Sequence, residues 1–219
     1  MNKFLAYYES EISRYGGICR YVSEKAREKS PLLDRVRSFA ASGKILEAGS
    51  GSSVNSIFLA SCGYDVTCVD NDPVMLEFAK KLALNFDKKP AYSEQDLFSL
   101  NYPLCSFDVA FSHGVLEHYS DDDIRSLIDK QLDVAKTVIF SVPTCFFKKS
   151  EAINGDERFL SIIHWQSIVG QTKGYLLETF GYFFDSDNLR VRAMKGISRL
   201  TGGVFPRTKP YLGMVVRNE

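Results

Sequence analysis

Lys44-Ile45-Leu46-Glu47-Ala48-Gly49-Ser50-Gly51-Ser52-Ser53 leads into a helical run ending near Cys62, and then into Asp65-Val66-Thr67-Cys68-Val69-Asp70. A short apolar strand enters a Gly-x-Gly turn, the turn opens a helix, and a second apolar strand ends on an acid. This is a βαβ unit with an acidic residue about 20 positions beyond the glycines, the plan of a nucleoside-binding crevice. Gly49 and Gly51 lack Cβ atoms, so the backbone can turn sharply there and a ligand can come close. The helix behind them offers free N–H groups and the positive end of a dipole. Asp70, at the carboxyl end of its strand, can accept both hydroxyls of a ribose.

Two details separate the possible ligands. A dinucleotide fingerprint asks for a small third residue where Val54 stands, so a diphosphate would meet a branched side chain there. Glu47, two residues before Gly49, is placed to receive an ammonium group rather than a phosphate. Glu47-x-Gly49-x-Gly51 followed by Val69-Asp70 resembles the class I S-adenosylmethionine-dependent methyltransferases of small-molecule type. It departs from their pattern at Ser53, where the family often has a third glycine.

The resemblance implies a doubly wound, mostly parallel seven-stranded α/β sheet, Rossmann-like, with an antiparallel C-terminal strand and N-terminal helices. The implied cofactor is S-adenosyl-L-methionine. Its implied contacts are Glu47, Gly49, Ser50, Gly51, Asp70, Asn71, Met75, Asp96, Leu97 and Ser112. In the family the glycine turn cradles the methionine half, the second acid holds the ribose, and an acid at the position of Asp96 meets the adenine amine, with the next N–H, here of Leu97, against the ring. Loop capping is the alternative role for Asp96.

Size and charge agree with one such domain over residues 1–219. It divides into a helical cap (1–43), a cofactor-binding core (44–143), and a substrate insertion with C-terminal strands (144–219). The chain has 219 residues, 45% of them hydrophobic, enough for one well-buried α/β core. Lys plus Arg and Asp plus Glu both number 27, so no basic excess favours nucleic acid as a partner. The five cysteines are scattered, without a Cys-x-x-Cys pair, which argues against a zinc ribbon or a redox motif. The N-terminus reaches a charge too soon for a signal peptide, and no apolar run approaches membrane-spanning length. A reduced cytoplasm, no membrane, a small-molecule acceptor and a monomer or homodimer are expected.

Along the chain, Phe4, Leu5, Tyr8, Ile12 and Tyr15 recur at helical spacing until Gly16-Gly17. Val22 and Ala26 mark a second helix, and Ser30-Pro31 reads as the N-cap and first turn of a third, closed by Gly43. These helices either cover one end of the sheet or form part of the substrate entrance. Asp72-Pro73 caps a helix with Met75 on its apolar face. A third strand is expected over 91–96. A fourth, from Phe107, is buried on both faces. Ser120 to Asp123 has capping-box spacing, and a fifth strand spans Thr137–Val142. Residues 145–165 show no sustained period; together with Tyr7 and Tyr8 they are the expected acceptor pocket. A helix around 164–170, a strand from Tyr175 to Phe184, a basic irregular stretch over 190–207 and a final strand Tyr211–Val216 complete the chain.

Methyl transfer from a sulfonium is an in-line displacement, so the protein chiefly orients and excludes water, and a base is needed only if the acceptor must lose a proton. Phe111-Ser112-His113-Gly114-Val115-Leu116-Glu117-His118 resembles the post-strand-four motif of small-molecule methyltransferases. There the loop touches the methionine end and the histidine sometimes acts as base. His118 is the first candidate catalytic residue, with a buried loop-holding imidazole as its alternative, and His113 is the second. The His-Glu-x-x-His spacing is absent and no metal is expected. Gly-x-Ser-x-Gly and Gly-Lys-Ser/Thr are absent too. The rival readings are an NAD-dependent oxidoreductase, disfavoured by Val54 and Glu47, and a protein that holds the cofactor without turnover.

Overall fold

The computed structural model describes residues 3–147, 155–182 and 210–218. Three helices come first: α1 (Lys3–Tyr15), α2 (Ile18–Glu28) and α3 (Ser30–Phe39). Then follow β1 (Lys44–Ala48), α4 (Val54–Ser61), β2 (Asp65–Asp70), α5 (Pro73–Ala83), β3 (Ala91–Glu94) and β4 (Phe107–His113). The remainder is α6 (Asp121–Val134), β5 (Ala135–Pro143), α7 (Ile162–Val169), β6 (Tyr175–Tyr182) and β7 (Tyr211–Arg217). The seven strands lie in one sheet in the order β3-β2-β1-β4-β5-β7-β6. The first five pair in parallel, while β7 runs antiparallel to both β5 and β6. The expected topology is met. The strand order reverses beside β1, which places the crevice at the carboxyl ends of β1 and β4.

Alternation along the strands divides the interior in two. Ile45, Val109, Phe111, Ile139 and Val215 face α3 and α4, packing with Leu32, Leu33, Val36 and Leu59. Leu46, Ala48, Ala110, Val138, Phe140 and Met214 face α6 and α7, packing with Ile124, Leu127, Ile128 and Trp165. The near-continuous apolar sequences of β4 and β5 follow from burial on both sides. Glu47, His113 and Ser141 share the α3 side by the same parity.

Helix starts were legible where a side chain caps them. Asp72 accepts from the Val74 and Met75 amides with Pro73 first in α5. The Ser120 hydroxyl accepts from the Asp123 amide, and the Asp123 carboxylate turns back onto the same hydroxyl at 2.6 Å. Ser30 differs from expectation: it lies inside α3, and the N-cap is Lys29, with no side-chain cap bond. The expected third strand stops at Glu94, because Asp96 instead caps a short 3-10 turn, Leu97–Ser99, by accepting from the Phe98 amide at 2.9 Å. The strand expected to Phe184 is described to Tyr182; its last two residues and the basic stretch 190–207 lie outside the described residues. Arg35 reaches across from α3 to Glu178 on β6 at 2.6 Å and lies over the Phe180 ring, fastening the edge strand. Among the described residues no helix is long and apolar enough to cross a membrane.

Candidate active site

At the carboxyl end of β1 the chain turns back under Val69, whose carbonyl accepts from the amides of Gly49 and Ser50 at 2.9 and 3.0 Å. Gly49 has φ +68°, and a Cβ there would stand 2.7 Å from Val115 Cγ2. Gly51 has φ +49°, and its missing Cβ leaves room for the Tyr8 hydroxyl, 3.3 Å from where it would stand. Ser53, where a third glycine was missed, adopts the left-handed region at φ +54°. The backbone keeps the turn's shape at the cost of strain in a residue with a side chain. One Asp70 oxygen accepts from the Gly51 amide at 2.8 Å and the other from the Asp72 amide at 3.0 Å. Each keeps a lone pair, so the strand-end carboxylate both ties the turn and can meet a diol. Asn71 follows it in an exposed position, and Met75 is buried on α5. Asp96 is exposed beside buried Leu97, and Ser50 is buried with its hydroxyl unpartnered.

Glu47 is placed differently from the expectation. It is 2% exposed, accepts from Asn55 Nδ2 at 2.8 Å, and accepts from both the Ser56 amide and the Ser56 hydroxyl. Strand alternation turns it toward α4, where Asn55 and Ser56 take three of its lone pairs and one on Oε1 is left. It anchors the first turn of that helix, and its role toward an ammonium group stays a proposal. Burial raises its pKa against these hydrogen bonds.

Near it stands a cation that the sequence did not mark. Lys25 is ion-paired to Glu11 and Glu28 at 3.0 and 3.2 Å. Lys29, one turn later at the junction of α2 and α3, makes no ion pair or side-chain hydrogen bond among the described residues. Burial, reinforced by Lys25, lowers its ammonium to about 8 despite the pull of Glu47 and Glu28. The same ammonium group acts electrostatically on Glu47 in β1 and on His113 at the end of β4.

The second half of the site is aromatic. His113 Nδ1 is 3.4 Å from the Tyr182 hydroxyl, which pairs with Ser141 Oγ at 2.6 Å. The imidazole lies 5.5 Å from the Tyr211 ring, Phe147 meets Tyr211 edge-on at 5.4 Å, and Phe147 stacks on Phe159 at 5.9 Å. Burial and the charges of Lys29 and Lys25 hold His113 well below its ordinary pKa, hence neutral at pH 7. Ser112, one residue back, is buried with its side chain on the opposite face by alternation.

The three histidines therefore separate. His118 Nδ1 meets Asp156 at 2.8 Å, with Glu157 close by; Asp156 is exposed and the other two are half-buried. His164 pairs with Asp121 at 2.7 Å, a carboxylate that Arg158 also holds at 2.6 Å. Only His113 joins the aromatic group. Tyr8 stacks on Phe78 at 6.0 Å above the glycine turn, which puts α1 over the turn rather than over the aromatic group. Tyr182 and Tyr211 escaped the sequence reading because neighbouring β-strands bring them to His113, and no local pattern marks them.

Residues 45–137 match the family described as the methyltransferase domain. An uncharacterized methyltransferase of Bacillus subtilis, YodH, is 41% identical over 73 residues, which are 33% of this chain and 31% of that protein. The chain thus spans under a third of the length of this curated relative. Among solved structures, magnesium protoporphyrin IX methyltransferase from Synechocystis PCC 6803, with S-adenosylmethionine bound, superposes with a TM-score of 0.59 and 17% identity over 92% of this chain and 82% of that one. The CcbJ methyltransferase from Streptomyces caelestis gives 0.67 and 13% over 90% and 96%. At these identities the likeness concerns the fold, which is the Rossmann-like methyltransferase fold expected from the sequence.

Proposed function

We propose, from the premise that residues 45–137 form a methyltransferase domain, that this chain transfers a methyl group from S-adenosyl-L-methionine to a small-molecule acceptor. The observation that carries the reading is the glycine turn tied by its own amide to a strand-end carboxylate with acceptor capacity to spare. The residues fit the cofactor. Gly49 and Gly51 give a turn whose backbone can be approached closely, and Asp70 offers oxygens to a ribose. The unpaired Lys29 ammonium suits the carboxylate of an amino-acid tail. Asn71, Met75, Asp96, Leu97, Ser50 and Ser112 complete the proposed binding set. When bound, the cofactor supplies an electrophilic methyl group on sulfur.

The protein's part is then to position and to keep water away. Val115 and Tyr8 close on the glycine turn from two sides, and the aromatic group beyond His113 presents an apolar wall to the acceptor. His113, neutral and beside Tyr182, is better placed than His118 to orient an acceptor. His118 is held by a hydrogen bond to Asp156. The residues 145–147 and 155–165 border the aromatic group, in keeping with an acceptor pocket there. We read the chain as one domain acting in the cytoplasm, as monomer or homodimer, without nucleic acid. Calorimetry with S-adenosylhomocysteine and with NAD tests the cofactor. Incubation of methyl-labelled S-adenosylmethionine with cell extract identifies the acceptor. Binding of NAD as tight as that of S-adenosylhomocysteine would overturn the reading in favour of an oxidoreductase.

A further inference from the structure

Two carboxylates are buried in β4 and the loop after it, and they are treated in opposite ways. Asp108 accepts from the Ser42 amide and hydroxyl and from Lys136 Nζ, and these partners hold it at about 2 against its burial. Glu117 is 3% exposed, and among the described residues no cation acts on it. Among the same residues its Oε2 has no hydrogen-bond partner, and Oε1 lies 3.6 Å from where a Cβ on Gly114 would stand. A buried carboxyl with an unused oxygen is costly, so its retention calls for a reason.

The surroundings supply one. Glu117 acts electrostatically on the Tyr182 hydroxyl, which stands with His113, Tyr211, Phe147 and Phe159. Rings present negative faces, which attract a cation. We propose that Glu117 is the acceptor-binding and proton-accepting group of this aromatic site, and that the methyl acceptor is an amine. The assignment rests on the methyltransferase reading above. Among the described residues the groups that act on Glu117 are Tyr182 from β6, Asp156 and Glu157 from the loop before α7, and its own backbone amide. Arg158 donates its amide to the Glu117 carbonyl, while its guanidinium is taken by Tyr119 and Asp121.

The chemistry follows from proton affinity. Burial, aided by Glu157 and Asp156, raises Glu117 to about 8, roughly two units below an alkylammonium instead of the roughly six of an ordinary carboxylate. An ordinary carboxylate would leave the proton on nitrogen, and the lone pair would stay occupied. Here the N–H bond breaks with its electron pair left on nitrogen, and the proton bonds to a Glu117 oxygen at far lower cost than on an ordinary carboxylate. The amine becomes a nucleophile, and the carboxyl returns its proton to water when the product leaves.

The test uses benzylamine as the probe, with benzyl alcohol and benzoate as controls. Each is titrated calorimetrically into the protein saturated with S-adenosylhomocysteine. Binding of S-adenosylhomocysteine is measured first: its absence sinks the cofactor reading, whereas its presence without benzylamine binding sinks only this assignment. Benzylamine is expected to bind, with affinity rising about tenfold per pH unit from 6 toward 8, as one proton leaves Glu117. Glu117→Gln is expected to lose at least tenfold and the pH slope, with unchanged affinity for S-adenosylhomocysteine. If that variant does not fold, Glu117→Asp is expected to bind more weakly while keeping a slope. Equal binding of benzoate or benzyl alcohol, or a Gln variant that binds benzylamine as the wild type does, overturns the proposal.

Discussion

The two ends of the crevice are built by opposite means. The end proposed for the cofactor comes from one continuous stretch and is made of backbone: a turn fixed by amides, a helix start, and a strand-end carboxylate that ties them together. The end proposed for the acceptor is made of side chains brought from far apart. His113 meets a tyrosine 69 positions later, and that tyrosine meets a serine 41 positions earlier. A backbone site cannot be altered one residue at a time without disturbing the fold, so it suits a constant ligand. A box of side chains can be changed ring by ring, so it suits an acceptor that differs between relatives.

Experiments can break or sharpen this contrast. Asp70→Ala is expected to have the largest effect. It removes ribose contacts and leaves the Gly51 and Asp72 amides unpaired, costing S-adenosylhomocysteine binding roughly 2–4 kcal/mol, or about 30- to 1000-fold in Kd. Benzylamine and acceptor affinities measured on the same variant should stay within about threefold; if they fall equally, the two ends are one site and the contrast fails.

Lys29→Met comes next. Loss of a charge-assisted contact should weaken S-adenosylhomocysteine by about 10- to 100-fold and leave methylthioadenosine, which lacks the amino-acid tail, unchanged. Wild-type affinity for S-adenosylhomocysteine should decline as pH rises through about 8, where the ammonium discharges. Because Lys29 sits below its unfolded value, its charge opposes folding at neutral pH, and the variant should melt no lower than wild type.

Phe147→Ala removes one ring edge and one stack from the aromatic group. It should raise the acceptor KM by about 2- to 10-fold with cofactor affinity unchanged. The smallest effect is on stability. Glu117 lies above its unfolded value, so its contribution is full below the ordinary carboxylate range and is lost as pH rises toward about 8. Melting temperature between pH 5 and 8 should fall more steeply for wild type than for Glu117→Gln, by a few degrees at roughly 2–4 °C per kcal/mol. Parallel curves would show that Glu117 is already ionised.

The glycine turn and its strand-end carboxylate were legible because each part announces itself locally. Gly49, Gly51 and Asp70 fall at spacings that only one turn satisfies, and Asp72-Pro73 marks the next helix. The reading failed where orientation decides. Glu47 was recognised, but alternation and the donors on Asn55 and Ser56 commit it to α4. Asp96 ends the strand early because an amide two residues on was free to be capped. Lys25 and Lys29 look alike in sequence; their difference lies in which has carboxylates around it, a matter of how α1 packs on α2. Tyr182 and Tyr211 needed the pairing of β6 with β7.

Val115 gives the two ends a mechanical link. Its side chain occupies the space that a Cβ on Gly49 would need, and two residues further along the same short loop stands Glu117. If a bound ligand shifts Val115, the carboxyl two residues on is displaced with it, and the acceptor affinity of Asp70→Ala would then fall beyond threefold. The two ligands then share one lever, and a shared lever works in both directions: whatever factor the first ligand adds to the grip on the second, the second returns to the first.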